Sequence, residues 1–241
     1  MLSLDEWFQT PLGCYLAERE QSYFDLEVGD IFGFNAVQVG MAQFDFLRAN
    51  RMPLRIRTGL AAPAQLRAAP TFLPITGQSV DLLVMPHVLE FSSQPHQILR
   101  EAERVLIPEG QLIVTGFNPR SLWGFNRAFN RTGDYPWCGD FIALSRLKDW
   151  LALLGFEIVS GKMCCYVPPA NSEKWLPRFN FMELAGDRWW AMGGGVYFLR
   201  AIKRVHGMRV ILPKWHERLA ANKALAPAPQ KILERRHGTN D

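Results

Sequence analysis

The chain has 241 residues, of which 48% are hydrophobic and 21% are charged, so it can bury a full core and is not compositionally disordered. Its net charge of +4 comes from the end of the chain, because residues 1–206 are balanced whereas residues 207–241 hold seven basic and three acidic side chains. A balanced body argues against a dedicated nucleic-acid surface, and no apolar run reaches the roughly 20 residues that a membrane span needs.

The cysteines and the N-terminus indicate the compartment. No Cys-x-x-Cys pair occurs and no histidine stands at metal-ligand spacing, so we expect buried, reduced thiols and no metal site. The first residues carry acids where a signal peptide needs positive charge, which favours a cytoplasmic protein. The cysteines are Cys14, Cys138, Cys164 and Cys165.

We expect one domain over residues 1–206, in which residues 1–30 form an N-terminal helical element. Apolar residues at three- and four-residue spacing predict a helix over Leu4–Leu26, with a break near Pro11 and Gly13. The basic segment 207–241 contains alternating Ala and Pro, which predicts a partly disordered tail.

Two early strands are predicted at Ala36–Gly40 and Leu54–Arg57. Between them we expect a short helix that carries Phe44, Phe46 and Leu47. Both strands belong to the same sheet in this interpretation.

The apolar run Val80–Met85, which Pro86 ends, predicts a strand that is covered on both faces. Ser92 as a cap and Pro95 near the first turn then predict the start of an amphipathic helix that reaches Leu106. After a turn at 108–110, residues 111–116 predict a second buried strand, parallel to the first through a right-handed crossover.

A helix over Leu144–Leu154 and a strand from Phe156, resuming through the cysteine pair to Val167, come next. Glycines 193–195 form the turn into a final strand that ends at 205, and the two last strands suit an antiparallel pair. The pattern predicts an α/β fold: a doubly wound, mostly parallel sheet with an antiparallel last strand.

The segments Val80–Glu90, Gln97–Gly110 and Leu112–Thr115 closely resemble the fourth strand, crossover helix and fifth strand of class I S-adenosylmethionine-dependent methyltransferases. The residues that follow, 116–124, are similar to a bacterial, type 11-like branch of that family. The resemblance implies a Rossmann-like methyltransferase fold and S-adenosylmethionine as cofactor.

The resemblance also implies which positions hold the cofactor. The family has an acidic residue and three glycines after its first strand, whereas this chain keeps only one glycine and adds the bulky Phe44. Arg57 and Ala69 stand where the family has acids near the ribose and the adenine. The cofactor-binding residues carried over are Gln38, Gly40, Met41, Ala42, Leu73, Pro86 and His87.

Two functions remain open. The first is methyl transfer to a small or lipid-like acceptor; the catalytic residues are unknown, and His87 is a candidate base that also suits a structural role. The second is a degenerate fold that serves as a binding or scaffold module, in which Phe44 fills the cofactor cleft and a Trp-rich lid binds a protein partner. The lid tryptophans are Trp123, Trp137, Trp175, Trp189 and Trp190.

Overall fold

The computed structural model describes residues 4–129, 133–169, 182, 183, 186 and 192–205. The strands are β1 (Asn35–Val39), β2 (Leu54–Gly59), β3 (Leu66–Arg67), β4 (Val80–Pro86), β5 (Leu106–Phe117), β6 (Phe156–Cys164) and β7 (Val196–Lys203). The longer helices are α1 (Leu4–Trp7), α2 (Pro11–Gly29), α3 (Pro95–Val105), α4 (Leu122–Phe129) and α5 (Leu144–Leu153). The predicted tail 207–241 and three lid tryptophans, at 175, 189 and 190, lie outside the described residues.

The seven strands form one sheet in the order β3-β2-β1-β4-β5-β7-β6. Strands β1 to β5 pair in parallel, whereas β7 pairs antiparallel with both β5 and β6. This arrangement confirms the predicted fold class. The chain reverses its direction of winding between β1 and β4, and ligands of open α/β sheets bind at the carboxyl ends of such strands.

Two apolar cores cover the two faces of the sheet. Helices α3 and α5 pack on one face, where Leu99 and Leu147 are fully buried. Helices α1 and α2 pack on the other face, where Leu16 and Phe24 are fully buried. In the part of the chain that the structure describes, no helix is long and apolar enough to cross a membrane.

The N-terminal residues are helical as predicted, but the break lies just before Pro11 and Gly13 lies inside α2. Helix α1 ends at Trp7, and α2 begins with Pro11 in its first turn, where a missing N–H costs nothing. The Thr10 hydroxyl caps α2 by accepting the N–H of Gly13 at 3.2 Å.

The predicted helix between β1 and β2 is wrong. Residues 41–50 form turns, although Phe46 and Leu47 are both fully buried as the apolar pattern requires. A helix would use the carbonyls of this segment internally, but the buried amide of Gln38 binds those of Met41 and Phe44, together with that of Gly40.

Other boundaries also shift. Ser92 does not cap α3; the N-cap is Gln94, and the Ser92 hydroxyl accepts the Gln94 N–H at 3.1 Å within a turn. Residues 108–110 lie inside β5, where the register with β4 slips, because a bulge absorbs the predicted turn. Strand β6 ends at Cys164 and does not reach Val167.

The cysteines are free thiols, but two of them are not buried as predicted. Cys14 and Cys138 are exposed, whereas Cys165 is fully buried. Burial raises the pKa of the Cys165 thiol, so it stays protonated at neutral pH.

Candidate functional site

The carboxyl ends of β1 and β4 meet beside Gly40, at a junction that we call the β1–β4 gap, and the side chain of Val88 packs against Gly40 there. Gly40 has φ +80°, and a Cβ at this position would lie 2.8 Å from Val88 Cγ2 and 3.9 Å from the Pro86 carbonyl oxygen. Any other residue would be strained at this φ and would clash with Val88. Gly40 is therefore the position at which the backbone of this loop closely approaches the end of β4.

Gln38, the last buried polar residue of β1, organises the loop that follows. Its Nε2 donates to the carbonyl oxygens of Gly40, Met41 and Phe44, each at 3.1 Å. Its Oε1 accepts the N–H of Phe46 at 3.1 Å. A carboxylate at this position would face three carbonyl oxygens and could donate to none of them. The amide of Gln38 is therefore suited to this non-helical loop, whose carbonyl groups need a donor.

The loops around the gap are tied to neighbouring elements. Arg57 Nη1 donates to the Ala42 carbonyl oxygen at 3.2 Å, and the Leu73 N–H donates to Glu101 Oε2 at 3.0 Å. Met41 and Ala42 are buried. Ala69 is half-buried and forms a bridge with Phe72.

Phe44, which the scaffold hypothesis places in the cofactor cleft, packs against two aromatic side chains. Its ring packs edge-on against Phe8 at 4.8 Å and stacks near Phe46 at 5.7 Å. These contacts hold Phe44 in the core under α1 and α2. The bulky side chain of Phe44 therefore packs against the hydrophobic core.

His87, directly after β4, lies between two buried carboxylates. Its Nδ1 donates to Glu90 Oε1 at 3.1 Å and its Nε2 donates to Glu20 of α2, and the side chains are at most 1% exposed. Glu90 Oε1 also accepts the N–H of Phe117 at 2.7 Å. The cluster Glu20–His87–Glu90 joins α2, β4 and β5 at the carboxyl edge of the sheet.

The cluster fixes the protonation state of His87. Burial alone would lower the pKa of His87, but the charges and hydrogen bonds of Glu20 and Glu90 raise it to about 10. A histidine that is already protonated at neutral pH and closed off from solvent cannot accept a proton from an acceptor molecule. The geometry favours the structural role of His87 over that of a base.

A large cavity opens at the same edge of the sheet, beyond β5. It has a volume of about 920 Å³ and lies between the β5–α4 turn, α5 and the ends of β6 and β7. Its apolar lining comes from Leu122, Phe125, Leu144, Met163, Met182 and Met192. Its polar groups include Asn118, Ser121, Arg120 and Lys148. Sequence reasoning missed this site, because the methionines that line it come from three separate segments.

The described lid tryptophans do not line the cavity. Trp123 is fully buried, donates from Nε1 to the Val167 carbonyl oxygen at 2.9 Å and stacks near Phe117. Trp137 packs against Trp123 and Phe141 in the same core. These two residues serve packing, which corrects the expectation of an exposed aromatic surface at these positions.

One segment of the chain matches a known family of proteins. Residues 42–114 match a family described as "Methyltransferase domain", and the match begins just after Gly40. The uncharacterized protein YafS of Escherichia coli is 30% identical over 161 residues, which cover 64% of this chain and 66% of YafS.

Solved methyltransferases share the fold. A Thermotoga maritima enzyme has a TM-score of 0.58 at 17% identity, over 83% of this chain and 94% of that one. A Haloferax volcanii methyltransferase, solved in complex with a protein activator, has a TM-score of 0.58 at 13% identity, over 85% of this chain and 99% of that one. Residues 42–114 thus match a methyltransferase domain, and the chain has the fold of the class I S-adenosylmethionine-dependent methyltransferases. S-adenosylmethionine is the cofactor of this family.

The chain lacks the family's acids at the positions where the resemblance places the cofactor. Gly40 brings the loop backbone into close contact with Val88 at the β1–β4 gap. Arg57 stands where the resemblance places the ribose acid, and a guanidinium can donate to hydroxyl oxygens. A cofactor held here would be bound by backbone and donor groups and not by carboxylates.

The hydrogen bonds of Gln38 predict that glutamate, which has the same shape but is charged, destabilises the protein at this position. We expect Gln38→Glu to lower the free energy of unfolding by about 3 kcal/mol, because it removes three donated bonds and places a carboxylate against carbonyl oxygens. Urea unfolding measures the loss. The control is Gln65→Glu, where the exposed side chain only accepts the Arg57 N–H and the change should be nearly neutral. Equal losses in both variants would contradict this account of Gln38.

The buried cluster predicts a pH-dependent contribution to stability. His87→Gln should cost about 3–5 kcal/mol near neutral pH, because two buried carboxylates lose their cation. The pKa of His87 is about 10 in the folded protein and near 6.5 in the unfolded chain. Protonation of His87 therefore stabilises the fold fully below about pH 6.5, and this contribution is lost as the pH rises through 10.

Urea unfolding of both proteins across this range tests the cluster. The difference between them should shrink by roughly 3 kcal/mol from about pH 6 to about pH 9. A difference that stays constant with pH would show that His87 is not charged in the fold.

Proposed function

We propose that this methyltransferase transfers the methyl group of S-adenosylmethionine to an apolar acceptor bound in the 920 Å³ cavity. The observation that carries the proposal is the cavity's lining at the carboxyl edge of β5, which includes six Leu, Phe and Met side chains. Pro86, at the end of β4, pairs in register with Thr115 of β5, so the gap and the cavity share one edge of the sheet. An acceptor in the cavity would therefore approach a donor at the gap.

The cavity also indicates the shape of the acceptor. Three methionines give a lining that adapts to flexible apolar chains. Arg120 and Lys148 are the only charged side chains among the described lining residues, and both are exposed. An amphipathic acceptor, with an apolar body inside and an acidic group near these cations, fits this arrangement better than a planar one.

The chain's own contribution is to bind, orient and exclude water. Bound S-adenosylmethionine supplies an electrophilic methyl group on a sulfonium. The backbone of Gly40, Met41 and Ala42, with Leu73 and Pro86, would hold the cofactor, and Arg57 would donate to ribose oxygens. His87 would set the shape of the β4 edge through its carboxylates and would transfer no proton.

Restoring one missing acid tests the cofactor site. Ala69→Asp places a carboxylate where the family has one, and we expect about tenfold tighter binding of S-adenosylmethionine in isothermal titration. Ala61→Asp is the matched control, since it makes the same change at an exposed position of the neighbouring loop and should leave affinity unchanged. No binding at millimolar cofactor by any of the three proteins would favour the scaffold hypothesis instead.

The acceptor site is tested by narrowing the cavity. The assay follows the transfer of labelled methyl from S-adenosylmethionine into a bacterial total-lipid extract. Leu144→Trp should lower transfer at least about tenfold while cofactor affinity stays unchanged, because Leu144 lines the cavity. Leu153→Trp, on the same helix but 85% exposed, should have no effect. Normal transfer by Leu144→Trp would place the acceptor elsewhere.

A further inference from the structure

Helix α4, at the mouth of the cavity, presents an apolar face to the outside. Leu122, Phe125 and Phe129 lie at three- and four-residue spacing and are 40%, 64% and 73% exposed. The rings of Phe125 and Phe129 lie 4.6 Å apart, so they form one continuous patch.

The helix is anchored firmly enough to hold these side chains outward. Trp123 on its opposite face is fully buried and bonded to Val167. At Gly124 a Cβ would lie 2.2 Å from the Pro119 carbonyl oxygen, so helix and turn are in direct backbone contact. The patch is therefore exposed because α4 is packed against the protein through its opposite face.

The patch leads into the cavity. A second apolar groove of about 320 Å³ is lined by Leu122, Phe125, Phe129, Asn126 and the pair Pro168–Pro169. Leu122 and Phe125 also line the large cavity. An apolar surface therefore runs from the outside of α4 to the proposed acceptor site.

The charges around this path are positive. The described linings of the groove and the cavity contain Arg120 and Lys148 and no acidic residue. Arg127 of α4 is paired with Asp140, so this pair adds no net charge. Phenylalanine and leucine beside unpaired cations match the boundary between acyl chains and anionic headgroups of a bilayer.

We propose that α4 docks this protein on the surface of an anionic phospholipid membrane, with Leu122, Phe125 and Phe129 inserted between headgroups and Arg120 and Lys148 on phosphates. Docking would place the cavity mouth against the acyl chains from which a lipid acceptor enters. The acceptor's route rests on the proposed function, whereas membrane binding itself does not.

A comparable apolar patch elsewhere on the protein provides the control. Phe32 and Phe34 lie in the turn before β1, at the opposite edge of the sheet, and are 74% and 73% exposed. They match Phe125 and Phe129 in chemistry and exposure. A general attraction of exposed phenylalanine to lipid would act at both places.

The experiment is flotation of the full chain with vesicles of phosphatidylcholine and about one third phosphatidylglycerol. Wild type and Phe32→Ser/Phe34→Ser should float with the vesicles, whereas Phe125→Ser/Phe129→Ser should float at less than about one fifth of the wild-type fraction. All three proteins keep the seven basic residues of 207–241, so that segment cannot explain a difference. Circular dichroism melting checks that each variant is folded.

Three results would overturn the proposal. Wild type could remain unbound; both double variants could lose binding equally; or wild type could be a dimer that Phe125→Ser/Phe129→Ser separates without any flotation. Methyl transfer to detergent-dispersed lipid distinguishes the two proposals, because it needs the cavity and the cofactor but no bilayer. Transfer without vesicle binding would remove only the docking, and vesicle binding without transfer would remove only the acceptor assignment.

Discussion

The arrangement of the site depends on one buried ion cluster. Glu20, His87 and Glu90 are buried together, and His87 lies between the carboxyl groups of the two glutamates. Each partner comes from a different structural element: the N-terminal helix, the end of β4 and the turn that leads to α3. Glu90 also binds the backbone at Phe117 and accepts the Asp140 N–H, so the edges of β4 and β5 are fixed together. The gap beside Gly40 and the cavity beyond β5 take their positions from this junction.

The sequence predicts the centre of the fold well and the loops of the site poorly. The continuous apolar run of β4 and the spacing of α3 are local patterns, and the structure has both elements within a residue or two of the prediction. The loop after β1 depends on a hydrogen-bonding side chain instead. Gln38 reads as a lost acid in the sequence, and only the converging carbonyl oxygens explain why an amide stands there.

Long-range partners account for the rest of what the sequence could not predict. His87 and Glu90 are close in sequence, but Glu20 stands 67 positions away from His87 and nothing local marks it as a partner. The cavity is similar, because Met163, Met182 and Met192 meet only when the antiparallel pair β6–β7 has formed. The number of tryptophans suggested a lid that binds a partner, yet the two in the described part of the lid stabilise the core.

The buried cluster also constrains how this protein can change over evolutionary time. A substitution of His87 alone leaves two carboxylates buried without their cation, and a substitution of either glutamate leaves the imidazolium with half of its compensation. Single steps are therefore costly, whereas replacement of all three by apolar residues of similar size is not. Descendants of this chain should keep the three residues together or lose them together, so positions 20, 87 and 90 should covary although they are dispersed in the sequence.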